Sequence, residues 1–314
     1  VVITLGTFAS TAAQLVLNGV TQTAGGTTYG STASTATTTN ATYFGTTATG
    51  LLTVGFGCST GIWTGTTSTD WNVSTNWCNG ILPTSSTNVT ISSGGNQPTI
   101  GAAGGVCNSI TINTGATLTI TGSNTLTVYG NWTNNGTFTR NTSTVVFNGT
   151  TQSIGTGTFY NVTISGTGTK SLGVATTVNG ALTINSGTTL ATANFGLTLA
   201  GNFTNSGTFT AGSSAITITG TATQYIAGFT TTGAISVTKT GGTATITSNV
   251  SAATFSSTTA AMNSTVALNS GVTLTLTGGI TIARPANTAV TGFNFNVGAG
   301  IVTCTTITLS GTTG

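Results

Sequence analysis

Ten residues of this chain occur twice with little change. The sequence GNWTNNGTFT at Gly130–Thr139 returns as GNFTNSGTFT at Gly201–Thr210, a step of 71 residues. The neighbouring phrases return in the same order, because TINTGATLTI at Thr111 is followed by LTINSGTTLAT at Leu182 and, more loosely, by ALNSGVTLTL at Ala267. Such a repeat predicts a fold that stacks similar units, none of which can bury its apolar face alone.

The repeated segments are typical of short β-strands. TLTV at Thr125–Val128, AITIT at Ala215–Thr219 and VTLTLT at Val272–Thr277 alternate an apolar residue with threonine, which places the apolar residues on one face. Each unit holds about six or seven such segments, too many for a four-stranded propeller blade. They fit about three coils of a solenoid. We therefore predict an all-β chain that folds as a right-handed parallel β-solenoid, preceded by a small β-sandwich-like or extended N-terminal region.

The repeated phrase is expected to form a corner of this solenoid. Gly136 would permit the corner backbone angles, and Asn134 would tolerate a left-handed conformation. Trp132 and Phe203 exchange one aromatic residue for another, which predicts equivalent stacked positions in the core.

Three regions follow from the pattern. Residues 1–57 form an N-terminal β region, either an assembly segment or an immunoglobulin-like one. Residues 58–108 form a cap and the first coil, and residues 109–314 form the repetitive solenoid. The cap is predicted from Trp63, Trp71 and Trp77, three of the four tryptophans of the chain, because a terminal repeat must close the open end of the core.

The composition argues against catalysis. The chain has no histidine and a single acidic residue, Asp70, whereas acid–base catalysis and glycoside hydrolysis need titratable pairs. Asp70 is expected to be a turn carboxylate. A Ser–Lys dyad at Lys170 or Lys239 is formally allowed, but a single lysine on a threonine-rich strand predicts a solvated side chain. We expect a protein that is not an enzyme and uses no cofactor and no metal.

Charge and apolar run length argue against a nucleic-acid partner and against membrane insertion. Lysine and arginine total four residues, spread singly, so the basic patch that nucleic-acid binding requires is missing. No apolar run reaches the ~18 residues of a membrane-spanning helix. We therefore expect no nucleic-acid partner and no insertion into a membrane.

The four cysteines favour an oxidising, extracellular setting. We predict a disulfide between Cys78 and Cys107, which flank the first coil and enclose a loop of ~30 residues. Pairing of Cys58 with Cys78 stays open, because four cysteines allow three connectivities. If Cys78 pairs with Cys107, then Cys58 and Cys304 remain, either as an intersubunit disulfide or as two buried thiols.

Apolar strands near both ends of the sequence predict assembly. An edge strand is a template for another chain, and a low net charge gives little repulsion against pairing. We expect head-to-tail association into a homopolymer. The residues expected to make the contact are Val1, Val2, Ile3, Leu5, Phe8, Ile301, Ile307 and Leu309.

The stretch from Trp63 to Ile164 resembles the large repetitive, adhesin-like surface proteins secreted by Bacteroidota. The resemblance rests on WTGTTSTDWNVSTNWCNGILPTSSTNVTI, VCNSITINTGATLTI and GNWTNNGTFTRNTSTVVFNGTTQSI. It implies an extracellular structural role at the cell surface, as a filament subunit or an adhesin stalk. The implied partners are further copies of the chain and host or environmental surfaces. The resemblance supplies no catalytic residue, and the C-terminal sorting domain that such proteins often carry is not visible in the sequence.

The alternative function is a binding module on the same solenoid, for ice or for a glycan. Segments such as TLTIT and TLTLT would display rows of threonine on a flat face. Ice binding would need threonines at the same place on successive coils, and the sequence shows no single favoured phase. Threonine is also a good strand former for reasons of solubility and shape.

Overall fold

The structure is a computed structural model that describes residues 3, 5, 7, 9–12, 15–18, 20–22, 27–54, 58–258, 263–283 and 292–310. It separates into two compact units, residues 1–62 and 63–314. The chain is nearly all β, and the second unit contains stacked parallel sheets that form a β-solenoid of about 9 turns. The predicted fold class, a parallel β-solenoid preceded by a small β region, is confirmed.

The described residues of the first unit form a mixed four-stranded sheet and a small hairpin. The sheet order is β1-β6-β4-β5, in which only β4 and β6 are antiparallel, and β2 pairs with β3. The described residues of this unit include a short helix that is capped by Asn40, whose side chain accepts the N–H groups of Thr42 and Tyr43. The elements are β1 (Ala9–Ala12), β2 (Val16–Leu17), β3 (Val20–Thr21), β4 (Thr27–Gly30), β5 (Thr38–Thr39), α1 (Ala41–Phe44) and β6 (Leu51–Val54).

The second unit begins with two short 3-10 helices at Ser74–Asn76 and Cys78–Gly80 and continues as strands of two to five residues. In chain order the first half contains β7 (Val89–Ile91), β8 (Thr99–Ile100), β9 (Gly105–Cys107), β10 (Ile110–Ile112), β11 (Thr117–Ile120), β12 (Thr125–Val128), β13 (Trp132–Asn134), β14 (Thr137–Thr139), β15 (Thr144–Phe147), β16 (Gln152–Ile154), β17 (Thr158–Phe159), β18 (Asn161–Ile164), β19 (Gly168–Leu172), β20 (Thr176–Val178), β21 (Leu182–Ile184) and β22 (Thr188–Ala191).

The second half contains β23 (Leu197–Leu199), β24 (Phe203–Asn205), β25 (Thr208–Thr210), β26 (Ile216–Ile218), β27 (Gln224–Ile226), β28 (Ile235–Val237), β29 (Gly242–Ile246), β30 (Val250–Ala252), β31 (Phe255–Ser257), β32 (Ser264–Leu268), β33 (Thr273–Leu276), β34 (Ile280–Ala283), β35 (Asn294–Asn296), β36 (Ile301–Thr303) and β37 (Ile307–Ser310).

Successive strands turn through three faces, and every pairing within these faces is parallel. The first face consists of the seven-stranded sheet from β7 to β25 and then the three-stranded sheet β30-β33-β36. The second face consists of β8-β11-β14 and then the eight-stranded sheet from β17 to β37. The third face is a ten-stranded sheet that runs from β9 to β35.

Alternation along each strand fills the interior. In β11, Leu118 and Ile120 are fully buried while Thr117 and Thr119 lie on the outer side. The same pattern recurs along the stack, so one continuous apolar core runs from Trp63 to Ile280. Burial of these side chains makes the main favourable contribution to the free energy of folding, because the chain has few charged residues that could form ion pairs.

The repeated ten-residue phrase forms the same corner twice. The rings of Trp132 and Phe138 meet edge to face at 4.9 Å, and those of Phe203 and Phe209 do so at 5.2 Å. The amide oxygen of Asn134 accepts the N–H of Gly136 over 3.0 Å, an arrangement that the second copy repeats. The asparagines therefore act through this side-chain hydrogen bond, and the predicted left-handed backbone at Asn134 is wrong.

The glycine of the corner is required for space. A Cβ on Gly136 would lie 2.4 Å from the carbonyl oxygen of Ala116, and one on Gly207 would lie 2.4 Å from the carbonyl oxygen of Asn185. Neither glycine has a positive φ. The prediction that Gly136 permits special corner backbone angles is therefore wrong. Glycine is needed there because neighbouring coils approach too closely for a Cβ atom.

The two copies of the corner lie on different faces. The first copy runs from β13 on the first face to β14 on the second, whereas the second runs from β24 on the third face to β25 on the first. The repeat is therefore a transferable corner, and its step does not equal a whole number of coils.

The cap covers the first coil. The backbone N–H of Trp63 donates to the carbonyl of Thr90, and that of Trp71 donates to the carbonyl of Thr99. The ring of Trp77 lies edge-on against both other rings, at 4.9 and 4.6 Å, and all three side chains are buried. The predicted cap aromatics thus form one cluster at the start of the core.

Polar contacts hold the cap loop. Asn76 is completely buried, and its amide accepts the N–H groups of Thr67 and Ser68 and donates to Ser68 Oγ and the carbonyl of Asp70. The carboxylate of Asp70 accepts the N–H of Asn72 over 2.9 Å, which makes it the turn carboxylate that the sequence suggested.

The disulfide prediction is wrong. Cys58 is bonded to Cys78, whereas Cys107 and Cys304 are free thiols. Cys107 occupies the inward position at the end of β9, opposite Val128 in the third-face ladder, and is completely buried in the apolar core. With Cys58 already paired, the predicted intersubunit bond from Cys58 to Cys304 is also excluded.

Candidate functional surface: a hydroxyl ladder on the second face

One column of outward side chains on the second face consists entirely of hydroxyl residues. The strand registers place eight of them directly opposite one another on successive coils, without a gap. In order, the column is Thr158, Thr177, Thr198, Thr217, Ser236, Ser256, Thr281 and Thr308. We call this column the hydroxyl ladder.

The columns on either side of the ladder carry mainly small residues. By continuation of the same registers, one flank contains Thr156, Ala175, Gly196, Ala215, Ala234, Thr254, Gly279 and Thr306. The other flank contains Tyr160, Asn179, Ala200, Thr219, Thr238, Thr258, Ala283 and Ser310. Backbone hydrogen bonds continue the strand pairing into both flanks. For example, the N–H of Ile216 donates to the carbonyl of Ala234, and the N–H of Thr219 donates to the carbonyl of Leu199. The result is an uncharged strip with hydroxyls along its centre.

The outward columns of the other faces are mixed. On the third face the corresponding column begins Val106, Thr127, Val146, Thr163, Thr183. Hydroxyl runs on the first face are shorter, such as Thr90, Thr111 and Thr133. Among the described residues, the unbroken column of eight therefore distinguishes the second face, and it places threonine and serine in a single phase that the sequence did not reveal.

Unequal coil lengths hide this phase in the sequence. Thr198 and Thr217 are 19 residues apart along the chain, whereas Thr281 and Thr308 are 27 apart. Loops of different length between rungs absorb the difference, so only the strand register aligns the hydroxyls.

The two lysines considered for a dyad lie inside the solenoid. Lys170 is completely buried on the inward side of β19, and its Nζ donates to the carbonyls of Gly149, Ser165 and Thr167. All three ammonium donors are thereby used. Burial lowers the pKa of Lys170, although the carbonyl acceptors oppose part of that effect.

Lys239 has a related environment with a side-chain partner. It is also completely buried, and its Nζ donates to Gln224 Oε1 over 3.1 Å and to the carbonyls of Gly220 and Ala222. Burial lowers the pKa of Lys239. The predicted solvated side chains are wrong at both positions, because each lysine is completely buried and its ammonium donates to backbone carbonyls inside the solenoid. Neither amine is accessible as a nucleophile.

The residues predicted for assembly fall into three groups. Val1, Val2 and Phe8 lie outside the described residues. Ile3 and Leu5 are described and lie outside the strands. Ile301, Ile307 and Leu309 are exposed by 57%, 66% and 78% on the last coil.

The exposed side chains of β37 continue inward columns of the core. Ile307 pairs with Ile280, which is buried, and Leu309 pairs with Ile282, which packs against the core. Ile301 differs, because it pairs with Thr273 on the outer side of β33. Within the described residues, β35, β36 and β37 are each the last strand of their sheets.

Two further observations concern ligands and membranes. Across the part of the chain that the structure describes, no three His, Cys, Asp or Glu side chains come together as a metal-binding group. Among the same residues, no helix has the length and apolarity needed to cross a membrane.

One family model matches part of the chain. Residues 62–162 match a domain of unknown function, DUF8693. The matched range covers the cap and the first coils of the solenoid, and it includes the first copy of the repeated corner. No curated protein and no solved structure matches the chain.

Proposed function

We propose that this protein is a non-enzymatic structural component of an extracellular surface or filament, in which the β-solenoid acts as a rigid rod or stalk. The observation that carries the proposal is the continuous ten-stranded third face together with the single core inside it. Most coils contact their neighbours through backbone ladders on three sides, and the third-face ladder continues where the sheets of the first and second faces are interrupted. The stack therefore resists bending and local opening.

The buried groups support a structural role. Lys170 and Lys239 connect backbone turns, and Trp132 and Phe203 pack inside corners with exposures of 1% and 2%. The two lysine amines and the corner aromatics Trp132 and Phe203 are therefore used to hold the stack together. This favours a scaffold over a glycan-binding module.

The extracellular location is supported by the Cys58–Cys78 disulfide, because such bonds persist in oxidising compartments. The resemblance of residues 63–164 to repetitive surface proteins of Bacteroidota points the same way. A filament subunit and an adhesin stalk both agree with this setting.

The last coil suggests how copies associate. Ile307 and Leu309 expose apolar side chains that elsewhere in the same columns are covered by another coil. The proposal is that a second copy covers them head-to-tail, with parallel strand addition to β35, β36 and β37. The low charge of the chain leaves little repulsion to oppose this contact.

Electron microscopy and sedimentation velocity test assembly. The oxidised chain is expected to form end-to-end rods whose length increases with concentration. Replacing Ile307 and Leu309 by lysine should abolish the rods, because two charges would enter an apolar contact. The control Tyr225→Lys introduces a charge at a side chain that is 56% exposed on the outer side of β27, and it should leave the rods intact.

Two results would contradict the assembly proposal. One is a wild-type chain that remains monomeric at all concentrations, and the other is equal loss of rods in both variants. Circular dichroism of each variant separates loss of assembly from loss of folding.

A further inference from the structure

The hydroxyl ladder forms a long and regular surface. Parallel strands are spaced by about 4.8 Å, so the eight rungs from Thr158 to Thr308 span roughly 34 Å. The six inner rungs, from Thr177 to Thr281, have hydroxyl-bearing neighbours on both sides. Such a surface repeats the same chemical groups at a fixed interval.

The surface does not suit a small molecule or a protein. Small-molecule sites are concave and lined mainly by apolar and aromatic side chains, whereas this strip is the outer side of a sheet with small residues. At about 34 Å by roughly 14 Å across three columns, it offers about 500 Å², less than the roughly 800 Å² that each partner contributes to a standard interface. Among the Trp, Tyr and Arg residues that dominate protein interfaces, it has only Tyr160, at one end of a flank.

The chemistry of the strip matches ordered water. Each hydroxyl donates one hydrogen bond and accepts two, as a water molecule both donates and accepts. The strip and its flanks contain no charged residue, so no ion competes for water with its own hydration shell. Threonine also adds a methyl group, and its β-branched side chain is stiff at χ1, which keeps the ladder in register at a small entropic cost.

We propose that the hydroxyl ladder binds ice. Water held between neighbouring rungs would repeat along the solenoid axis, and a crystal of water can match that repeat whereas liquid water cannot. The rigid core beneath the ladder fixes the rung positions in advance, so binding requires little reorganisation. This activity does not depend on head-to-tail assembly or on a structural role.

Thermal hysteresis and inhibition of ice recrystallisation test the proposal with the full chain. The wild type is expected to be active. Thr217→Tyr should remove most of the activity, because a bulky ring in the middle of the ladder holds the strip away from a flat crystal surface. The protein concentration for half-maximal inhibition should rise by about tenfold or more, the effect of about 1.4 kcal/mol.

The matched control is Thr183→Tyr. Thr183 is also an outward, partly exposed threonine within a strand, but it lies on the third face between Thr163 and Thr204. This variant should keep wild-type activity. Thermal unfolding of both variants checks that the solenoid remains folded. If Thr217→Tyr does not fold, the double substitution Thr198→Val and Thr217→Val removes two hydroxyls with little change in volume and should weaken inhibition.

The outcomes separate clearly. Absence of both activities in the folded wild type overturns the proposal, as does equal loss in Thr183→Tyr and Thr217→Tyr. An active wild type that never forms rods would support ice binding and contradict the assembly proposal. A folded wild type that forms rods but has no ice activity would support the assembly proposal and overturn ice binding.

Discussion

The ammonium group of Lys239 donates a hydrogen bond to the side-chain oxygen of Gln224 inside the solenoid, and both side chains are completely buried. The amide nitrogen of Gln224 in turn donates to the carbonyls of Leu199 and Gly201. A charged group and an amide thus connect consecutive turns in a core that is mainly apolar. Such a network is stable only while every member has its partners.

The first prediction concerns this pair. Gln224→Leu should lower the free energy of unfolding by about 2–4 kcal/mol, because it leaves Lys239 with fewer acceptors and exposes two carbonyls to an apolar side chain. Gln152→Leu is the matched control, since Gln152 is also buried and its oxygen accepts from the N–H of Gly149 instead of from a lysine. Its effect should be smaller, because a hydrogen bond to a charged group contributes more.

A double-mutant cycle checks the coupling. Adding Lys239→Met to Gln224→Leu should restore part of the lost stability, measured from urea denaturation, because the unpaired charge is removed. Strictly additive effects of the two substitutions would contradict the proposed network.

The second prediction is a pH dependence. Burial lowers the pKa of Lys170 and Lys239 below the ordinary lysine value of 10.5 in the folded chain only. Between the lowered and the ordinary pKa, the unfolded chain therefore binds more protons than the folded chain. The free energy of unfolding should rise with pH across that window and be independent of these lysines below it.

The denaturant midpoint of the wild type, followed from neutral pH up to 10.5, measures this rise. A Lys170→Met, Lys239→Met variant serves as the reference because it lacks both buried amines. A wild-type midpoint that falls relative to the reference would show that the carbonyl acceptors outweigh desolvation. If the double variant does not fold, Lys239→Met alone provides the reference.

The third prediction concerns the cysteines. Peptide mapping without reduction should recover Cys58 linked to Cys78. Alkylation of the native protein should modify Cys304, which is partly exposed, well before Cys107. Burial raises the pKa of the Cys107 thiol and removes the reactive thiolate, so its modification should require unfolding. A peptide that links Cys78 to Cys107 would refute the connectivity.

The fourth prediction concerns the cap. Trp77→Ala should lower the free energy of unfolding by about 3–5 kcal/mol, because the ring contacts both neighbouring tryptophans in a buried cluster. Trp132→Phe should cost less than about 1.5 kcal/mol, since Phe203 occupies the corresponding position in the second copy of the corner. Equal losses in the two variants, measured by chemical denaturation, would contradict a specific role of the cap cluster.

Much of the local structure could be predicted because alternation determines which side chains a strand can bury. The segments with Leu118, Val128 and Ile218 are strands whose apolar residues point inward, as their patterns indicate. The cap was also accessible, because three large aromatics next to a repeat have few other places to be buried. The environments of Lys170 and Lys239 could not be predicted from the sequence. The carbonyls that accept hydrogen bonds from their ammonium groups lie in loops, and the positions of these loops depend on how the coils stack.

The class of the fold follows from the sequence alone. Period-two alternation, glycine and asparagine between the strands and a repeated corner leave a stack of short parallel strands as the consistent solution. Tertiary structure alone decided the register between coils. Loops of unequal length separate Thr198 from Thr217 and Thr281 from Thr308, so chain distance does not reveal that they share a column. Packing of the inward side chains selects the register. The same register aligns the outward hydroxyls in one column and places the two lysines in the core.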